Sequence, residues 1–343
     1  MLEIVPGEAF YRTFNDAQIS DIADHLEQHR EIPRQYNYFG DGARGWDQFV
    51  AAAIDGATNG LARISVELLP AATRYALAAR APGQRVDIVD IGPGNAQPVR
   101  GMLRELLDAG ALGRYVALDI SPDMLAVAQR NVALWFDGQV PFEGHLVDIS
   151  HAEPARTWAS AGLDGDRATV QLVLLLDGLM VNVRYPAEVL RAVREHLTDR
   201  GLLVCTNGLD TPRSRERFAL GGSLEPGGRL ELSPSHRAVF ELLGLSSDFY
   251  DVEYGFDDCL QMRYIRARLN RPLSLVFRYR ARRRAVVLDR GEPILLWRAW
   301  ATTRPMIIDR LKAAGLCPVH VQASNDESGL LTISTTLGQA SDL

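Results

Sequence analysis

The sequence predicts an α/β protein with a doubly wound parallel sheet, and two observations carry this prediction. Short apolar runs alternate with helical patterns from Val86 to about Thr206. Strands that alternate with helices form parallel sheets that are covered on both faces. The first apolar run also breaks at a glycine turn, Gly92-Pro93-Gly94, just before a helical pattern. Folds of this class bind ligands at the carboxyl ends of their strands.

The expected elements follow along the chain. Residues 1–75 have mainly helical spacing, interrupted by a loop at Gly40-Asp41-Gly42. We expect strands at 86–91, 115–119, 144–149, 169–176 and 202–206, and helices at 97–109, 122–134 and 186–197. A helix at 304–314 and strands at 317–322 and 329–335 then complete the sheet. The segment between these parts carries a helix at 235–243 and a β-rich run at 261–300.

This order predicts two domains. Residues 76–207 and 301–343 form a Rossmann-like core, with the final helix and hairpin completing its sheet. Residues 1–75 form the helical part of a second, α+β domain, and residues 208–300 form its inserted part. An insertion of about ninety residues in a compact fold usually has a function. We therefore expect the second domain to select the substrate.

Charge and composition exclude several classes of partner. The net charge of −6 argues against a nucleic-acid partner. The basic run Arg278 to Arg284 is interpreted as the solvated end of a hairpin, because it connects alternating strands at 273–277 and 286–288. The cysteines and histidines are scattered, so no metal site is predicted. No run resembles a leader or a membrane span. We expect a cytoplasmic protein that acts on a small molecule.

Three successive strand ends carry the residues of a nucleoside-cofactor site. The first is followed by the turn Asp90 to Asn95 (DIGPGN), the second ends on Asp119-Ile120, and the third ends on Asp148-Ile149. Glycine lets the backbone bend sharply and lets a ligand approach without a Cβ in the way. A strand-end carboxylate can accept two hydrogen bonds from a ribose diol. A dinucleotide fingerprint would require glycine at Gln97, so that cofactor class is not indicated.

The turn instead resembles the first motif of class I S-adenosylmethionine (SAM) methyltransferases, which reads acidic-x-Gly-x-Gly. This resemblance implies SAM as the cofactor, with the glycines at its methionine end and Asp119 on its ribose. Asp148 would meet the adenine amine and Ile149 would flank the ring, although a helix-capping aspartate remains an alternative. The expected cofactor contacts are Asp90, Gly92, Pro93, Gly94, Asn95, Asp119, Ile120, Asp148 and Ile149.

Over most of its length the chain resembles the histidine-specific SAM-dependent methyltransferase family, whose known member trimethylates the histidine α-amine on the way to ergothioneine. The resemblance lies in the glycine turn, the Asp119 strand and four further segments: Tyr38-Phe39-Gly40-Asp41, Val173 to Asn182, Arg184-Tyr185-Pro186 and Gly291-Glu292. In this family an asparagine after the fourth strand holds the substrate amino acid. Asn182 occupies that place, where a turn or helix-cap role is the alternative.

The family's imidazole ligands are not kept. Its glutamate and serine in the inserted hairpin fall on Trp297 and Ala299, and a tyrosine falls near Phe218. Histidine is therefore not the expected substrate. The candidates for substrate binding are Tyr38, Phe39, Asn182, Phe218, Tyr264, Trp297 and Arg298. For the tryptophans, a place in the hairpin core is an equal alternative.

Methyl transfer from a sulfonium is an in-line displacement, so the protein must orient the acceptor and deliver it unprotonated. The candidates for this work follow the fourth strand: Asp177, Asn182 and Tyr185. We expect N-methylation of a small amino acid or amino-acid-derived metabolite. One alternative is an enzyme that cyclises or eliminates the aminobutyl arm of SAM and releases methylthioadenosine. The other is a non-catalytic SAM-binding protein. The sequence leaves the oligomeric state open.

Overall fold

The structure is a computed structural model that describes residues 1–55, 61–149, 169–212, 214–215 and 231–336. The chain forms two compact units. The N-terminal unit comprises Met1–Trp46 and Phe218–Ala301, and the sheet unit comprises Asp47–Arg217 and Thr302–Leu343. The first boundary therefore lies after Trp46 and not after residue 75 as expected. The helix that precedes the sheet packs against three of its strands and so belongs with the sheet unit.

The elements are numbered along the chain. The strands are β1 (Leu2–Ile4), β2 (Arg85–Ile91), β3 (Leu112–Asp119), β4 (Phe142–Leu146), β5 (Thr169–Leu175), β6 (Leu202–Gly208), β7 (Tyr250–Asp257), β8 (Met262–Leu269), β9 (Leu273–Tyr279), β10 (Arg282–Leu288), β11 (Pro293–Trp300), β12 (Leu316–Ala323) and β13 (Gly329–Thr336). The helices are α1 (Glu8–Thr13), α2 (Asp16–His29), α3 (Asp41–Ile54), α4 (Leu61–Ala79), α5 (Arg100–Asp108), α6 (Pro122–Phe136), α7 (Leu179–Asn182), α8 (Pro186–His196), α9 (Pro234–Leu242) and α10 (Arg304–Ala313). Short 3-10 turns cover Arg34–Tyr38 and Ser247–Phe249.

The sheet unit confirms the predicted doubly wound sheet. Its seven strands lie in the order β12-β13-β6-β5-β2-β3-β4. Strands β2 to β6 are parallel, and β13 runs antiparallel to both β6 and β12. Alternate residues of β2 enter two different apolar cores: Ile88 packs with residues of α4 and α5, and Val89 packs with residues of α8 and α10. Because both faces are buried, apolar residues occur on both of them: Val86, Ile88, Val89 and Ile91.

Among the element ends that differ from the expected ones, two lie beside the predicted cofactor residues, and one of these has a clear local cause. The helix expected from Gln97 begins at Arg100. The Asn95 side chain accepts a hydrogen bond from the Gln97 amide (3.1 Å), and Ala96 has a left-handed φ of 60°. Pro98 also disfavours a helical conformation at the residue before it. The strand expected at 144–149 ends earlier, at Leu146.

The N-terminal unit contains two three-stranded sheets, ordered β1-β9-β10 and β11-β8-β7. Strand β1 pairs in parallel with β9, which the mainly helical expectation for residues 1–75 missed. The basic run is confirmed as a hairpin end, because β9 and β10 join through Arg280 and Ala281. Both residues have left-handed φ angles (49° and 56°), as a tight two-residue hairpin turn requires.

In the described part of the chain, none of the helices combines the length and the apolar character needed to cross a membrane.

Candidate functional site

The glycine turn after β2 is held in one shape by hydrogen bonds within the sheet unit. Gly92 and Gly94 have φ angles of 67° and 56°, which side chains disfavour. The Gly92 amide donates to the Leu118 carbonyl at 2.8 Å. The Asn95 side-chain amide donates to Asp47 Oδ1 at 2.9 Å. Pro93 closes the turn by accepting from the Ala96 amide at 2.9 Å. The turn therefore presents a fixed backbone surface at the carboxyl end of β2.

Asp90, the acid of the turn motif, is buried at 1% exposure. The Tyr115 hydroxyl donates to its Oδ2 at 2.8 Å, whereas its Oδ1 has no partner among the described residues. Burial raises the pKa of Asp90 to about 7, the Tyr115 hydrogen bond opposes this, and the nearby carboxyls of Asp177 and Asp119 add to it. Asp90 thus lies close to two other acids. Tyr115 was not singled out from the sequence, where it was only the first residue of an apolar run.

Asp119 is the last residue of β3, as predicted, and its Oδ1 accepts from the Ser121 amide at 2.9 Å. Burial raises its pKa to about 7. Ile120 follows it and is half-buried. Asp148 and Ile149 lie beyond the end of β4 and not on it, and both are half-buried. The Val147 amide donates to the Asp119 carbonyl at 2.8 Å, which ties the two strand ends together.

Asp177 follows β5 and belongs to a short polar chain. Its amide donates to Thr206 Oγ1 (3.1 Å), and that hydroxyl lies 2.7 Å from Ser65 Oγ. Burial raises the pKa of Asp177 to about 6, while a hydrogen bond from Ser65 lowers it. Its Oδ1 is buried and has no partner among the described residues. Ser65 and Thr206 come from different elements, so sequence spacing could not reveal them.

Asn182 ends α7, a single turn that follows Gly178. Its Oδ1 is buried and unpartnered within the described part of the chain. Tyr185, the third residue predicted to act in catalysis, lies at the start of α8 and is 53% exposed. The Arg184 guanidinium donates to the Tyr185 hydroxyl at 3.1 Å. The carboxyl edge of the sheet therefore carries polar groups of two kinds, one buried and one open to solvent.

Three acids at this edge have no counter-ion among the described residues: Asp90 is buried, and Asp119 and Asp177 are half-buried. Across residues 1–55, 61–149, 169–212, 214–215 and 231–336, no Arg, Lys or His forms an ion pair with Asp90, Asp119 or Asp177. In the same ranges, no group of three His, Cys, Asp or Glu side chains is arranged to hold a metal ion. Uncompensated buried carboxylates are costly, and a cationic ligand would relieve that cost.

The N-terminal unit contains a second concentration of polar and aromatic groups, centred on Arg34. The Arg34 guanidinium carbon lies 5.4 Å from the ring centre of Tyr38, 5.6 Å from that of Trp46 and 5.9 Å from that of Trp297. Tyr38 and Trp297 were predicted to bind the substrate, and the structure brings them to one place. Arg34 and Trp46 were missed, because the four residues come from three separate elements and meet only in space.

The remaining substrate candidates lie elsewhere in that unit. Phe39 is buried against Phe14 and Tyr36 in an aromatic core. Tyr264 on β8 lies beneath the Arg266 guanidinium, 4.2 Å from its carbon. The cross-strand partner of Tyr264 is Arg298, so the two share one face of the sheet.

Trp297 is adjacent to Arg298 on β11 and lies on the opposite face. Arg298 itself is 5% exposed and forms an ion pair with Glu31, so its charge is already neutralised. Phe218 lies outside the described residues.

A sequence model of the family described as "Histidine-specific methyltransferase, SAM-dependent" matches residues 18–217, which is more than half of the chain. No curated protein sequence matches the chain.

Solved structures of methyltransferases are similar to the chain at low identity. The CcbJ methyltransferase from Streptomyces caelestis is 16% identical, with a TM-score of 0.44, over 85% of this chain and 97% of that one. The magnesium protoporphyrin IX methyltransferase from Synechocystis PCC 6803 is 12% identical, with a TM-score of 0.45, over 92% of this chain and 98% of that one. A SAM-dependent methyltransferase from Clostridium acetobutylicum is 12% identical, with a TM-score of 0.41, over 84% and 97%.

Proposed function

The chain belongs to the family of histidine-specific SAM-dependent methyltransferases, and we propose that it methylates an amine of a small amino acid or amino-acid-derived metabolite other than histidine. That it is a SAM-dependent methyltransferase follows from the family. The choice of acceptor is the proposal. The observation that supports this choice of acceptor is the position of Trp297. Its ring centre lies 5.9 Å from the Arg34 guanidinium carbon.

The residues at the carboxyl edge of the sheet fit SAM. Bound SAM supplies a methyl group on a positively charged sulfur. The turn from Asp90 to Asn95 offers backbone that can approach the methionine end, and Asp119 offers a carboxylate to the ribose hydroxyls. Asp148 and Ile149 are the candidates for the adenine. Asp90 and Asp119, which have no counter-ion among the described residues, favour a ligand with positive charge.

An amine acceptor must lose a proton before or during transfer, and Asp177 is suited to receive it. Its pKa of about 6 leaves it ionised at neutral pH but still able to hold a proton, and its Oδ1 has no partner among the described residues. Asn182 offers an unpartnered buried oxygen to the amino-acid head group. Tyr185 offers an exposed hydroxyl as a further hydrogen-bond donor to the acceptor.

Histidine is disfavoured because an indole replaces the family's glutamate at Trp297. An indole has one N–H donor and cannot accept a hydrogen bond from an imidazole as a carboxylate does. The neighbouring family serine is replaced by Ala299, which has no hydrogen-bonding side chain. The net charge of −6 also favours a small molecule over a nucleic acid as the acceptor.

The test is to incubate the protein with methyl-labelled SAM and a small-molecule extract of the cell that makes it. Mass spectrometry should show a labelled methyl group on an amine, together with S-adenosylhomocysteine. Histidine added alone should give no labelled product. Trimethylhistidine at a turnover near 1 per second, a typical enzymatic rate, would overturn the choice of acceptor. Release of methylthioadenosine without any methylated product would overturn methyl transfer itself.

A further inference from the structure

Arg34 is a positive charge that no described residue neutralises. It lies in the 3-10 turn Arg34–Tyr38 and is half-buried. No ion pair to Arg34 is found in the described ranges, and its Nε is buried there without a hydrogen-bond partner. Arginines that are buried for structural reasons are normally paired, as Arg298 is with Glu31. Among the described residues, Arg34 therefore lacks the partner that its partial burial would normally require.

The described residues around Arg34 hold the guanidinium in place but accept no hydrogen bond from it. Tyr38, Trp46 and Trp297 lie around it at cation–π distances. The Tyr38 and Trp46 rings also contact each other edge to face, with 5.3 Å between their centres. Ring faces attract the charge but offer no strong acceptor for N–H groups. The donors of a fixed guanidinium remain available to a ligand.

Two further polar side chains near this turn have buried atoms without a partner among the described residues. The helix α9 packs against the turn and carries His236, which is 6% exposed. Ser233 Oγ lies 2.8 Å from His236 Nδ1, but Nε2 has no partner in the described part of the chain. Burial and then the positive charge of Arg34 lower the pKa of His236 to about 3, so the ring is neutral at pH 7. The amide of Asn37, 2% exposed, is likewise unpartnered there at both ends.

We infer that Arg34 forms a binding site for a carboxylate, with the neutral imidazole of His236 as an auxiliary hydrogen-bonding group. The planar fork of a guanidinium matches the two oxygens of a carboxylate. The partial burial of the guanidinium strengthens such a pair. The ligand is the α-carboxylate of an amino acid, and its identity as the methyl acceptor rests on the proposed function. Phosphate shares the same chemistry, so the test separates the two.

The Arg34 signal itself can be followed by NMR in the full-length protein labelled with ¹⁵N-arginine. The Nε–Hε resonance of Arg34 is the one lost in Arg34→Lys. The probes are L-phenylalanine, L-leucine and L-glutamate at millimolar concentration, each as the free acid and as the α-amide, and inorganic phosphate. At least one free acid should shift this resonance and bind about tenfold or more tightly than its amide. The resonance of Arg44, an exposed arginine on α3 identified in the same way, should not move.

Three outcomes would overturn this site: no shift with any probe, equal binding of acids and amides, or a shift with phosphate alone. A labelled methyl product from the extract without an Arg34 shift would leave the proposed function standing and remove the carboxylate site. A carboxylate-dependent shift without any methylated product would support the carboxylate site and contradict the proposed function. If Arg34 only stabilised the turn, Arg34→Lys would lower the melting temperature. The Arg34 resonance of the wild type would then not shift with any probe.

Discussion

Among the described residues, the unpaired charged groups of the two units are opposite in sign. The sheet unit holds Asp90, Asp119 and Asp177 at one edge of its sheet without any cation among the described residues. The N-terminal unit buries arginine, and it does so in two ways. Arg298 is paired with Glu31, whereas Arg34 is surrounded by aromatic rings. The comparison separates charged groups that are paired within the protein from charged groups that have no partner among the described residues.

The unpaired groups of each unit suit the charge of one of the ligands that we propose. SAM carries a sulfonium and an ammonium, which suit an edge lined by acids. An amino acid carries a carboxylate, which suits Arg34. A charge that is already paired has no such requirement, so we expect its substitution to affect stability and not binding. The following predictions test that division.

The largest expected effect is on the paired charge of the N-terminal unit. Glu31→Gln leaves Arg298 buried without a counter-ion, which we expect to cost about 3–5 kcal/mol in the free energy of unfolding. Urea unfolding followed by circular dichroism measures this cost.

The matched control is Glu27→Gln, which breaks the more exposed pair of Glu27 with Arg284 and should cost about 1 kcal/mol or less. Equal decreases in the free energy of unfolding would show that the buried Glu31–Arg298 pair stabilises the protein no more than the exposed pair does.

The second effect concerns the unpaired acids and has a defined dependence on pH. The pKa of Asp90 is raised to about 7 from 3.8, so the folded state binds a proton that the unfolded state has lost. Its contribution to stability is complete below pH 3.8 and is lost as the pH rises through about 7. One pKa unit corresponds to about 1.4 kcal/mol, so the loss reaches at most about 4 kcal/mol.

Asp90→Asn removes the ionisation while its amide oxygen can still accept from Tyr115. We expect the variant without SAM to be about 2–4 kcal/mol more stable than the wild type at pH 8 and similar to it at pH 4. Urea unfolding at the two pH values provides the measurement. A difference that does not change with pH would show that Asp90 ionises without cost.

The sheet could be predicted from the sequence because its signals are local. An apolar run, a glycine turn and a strand-end acid each occupy a few consecutive residues, and parallel pairing brings their ends to one edge. The errors of detail were also local. The helix expected at Gln97 starts later because Ala96 and Pro98 interrupt it, and the strand before Asp148 ends early.

The cluster around Arg34 could not be predicted, because it depends on contacts between distant segments. Arg34, Trp46 and Trp297 lie on three elements, and nothing in their separate neighbourhoods indicates that they meet. The ion pair of Arg298 could not be predicted for the same reason: its partner Glu31 is far away in sequence. The polar chain of Ser65, Thr206 and Asp177 likewise depends on tertiary packing.

The third effect tests whether an unpaired acid serves the cofactor. Asp119→Ala removes charge-assisted hydrogen bonds to the SAM ribose, each contributing about 1.5–3 kcal/mol, so the Kd for SAM should rise about tenfold or more. Calorimetric titration measures it, and circular dichroism should show an unchanged fold. Asp108→Ala, an exposed acid at the end of α5, is the control and should bind SAM as the wild type does. An unchanged Kd in Asp119→Ala would place the ribose elsewhere.

The smallest effect is expected at Asn182, where the unpartnered group is neutral. Its buried Oδ1 has no partner among the described residues, and we propose that it binds the head group of the acceptor. Asn182→Ala should lower kcat/KM for the acceptor by about 1–3 kcal/mol, the cost of leaving a polar partner unpaired. The Kd for SAM should hardly change, because Asp119 lies on a different strand end. Asn182→Asp keeps the shape and an accepting oxygen, and should retain more activity than the alanine variant. Loss of SAM affinity with unchanged acceptor kinetics would move Asn182 to the cofactor, and no change in either would leave it as a turn residue.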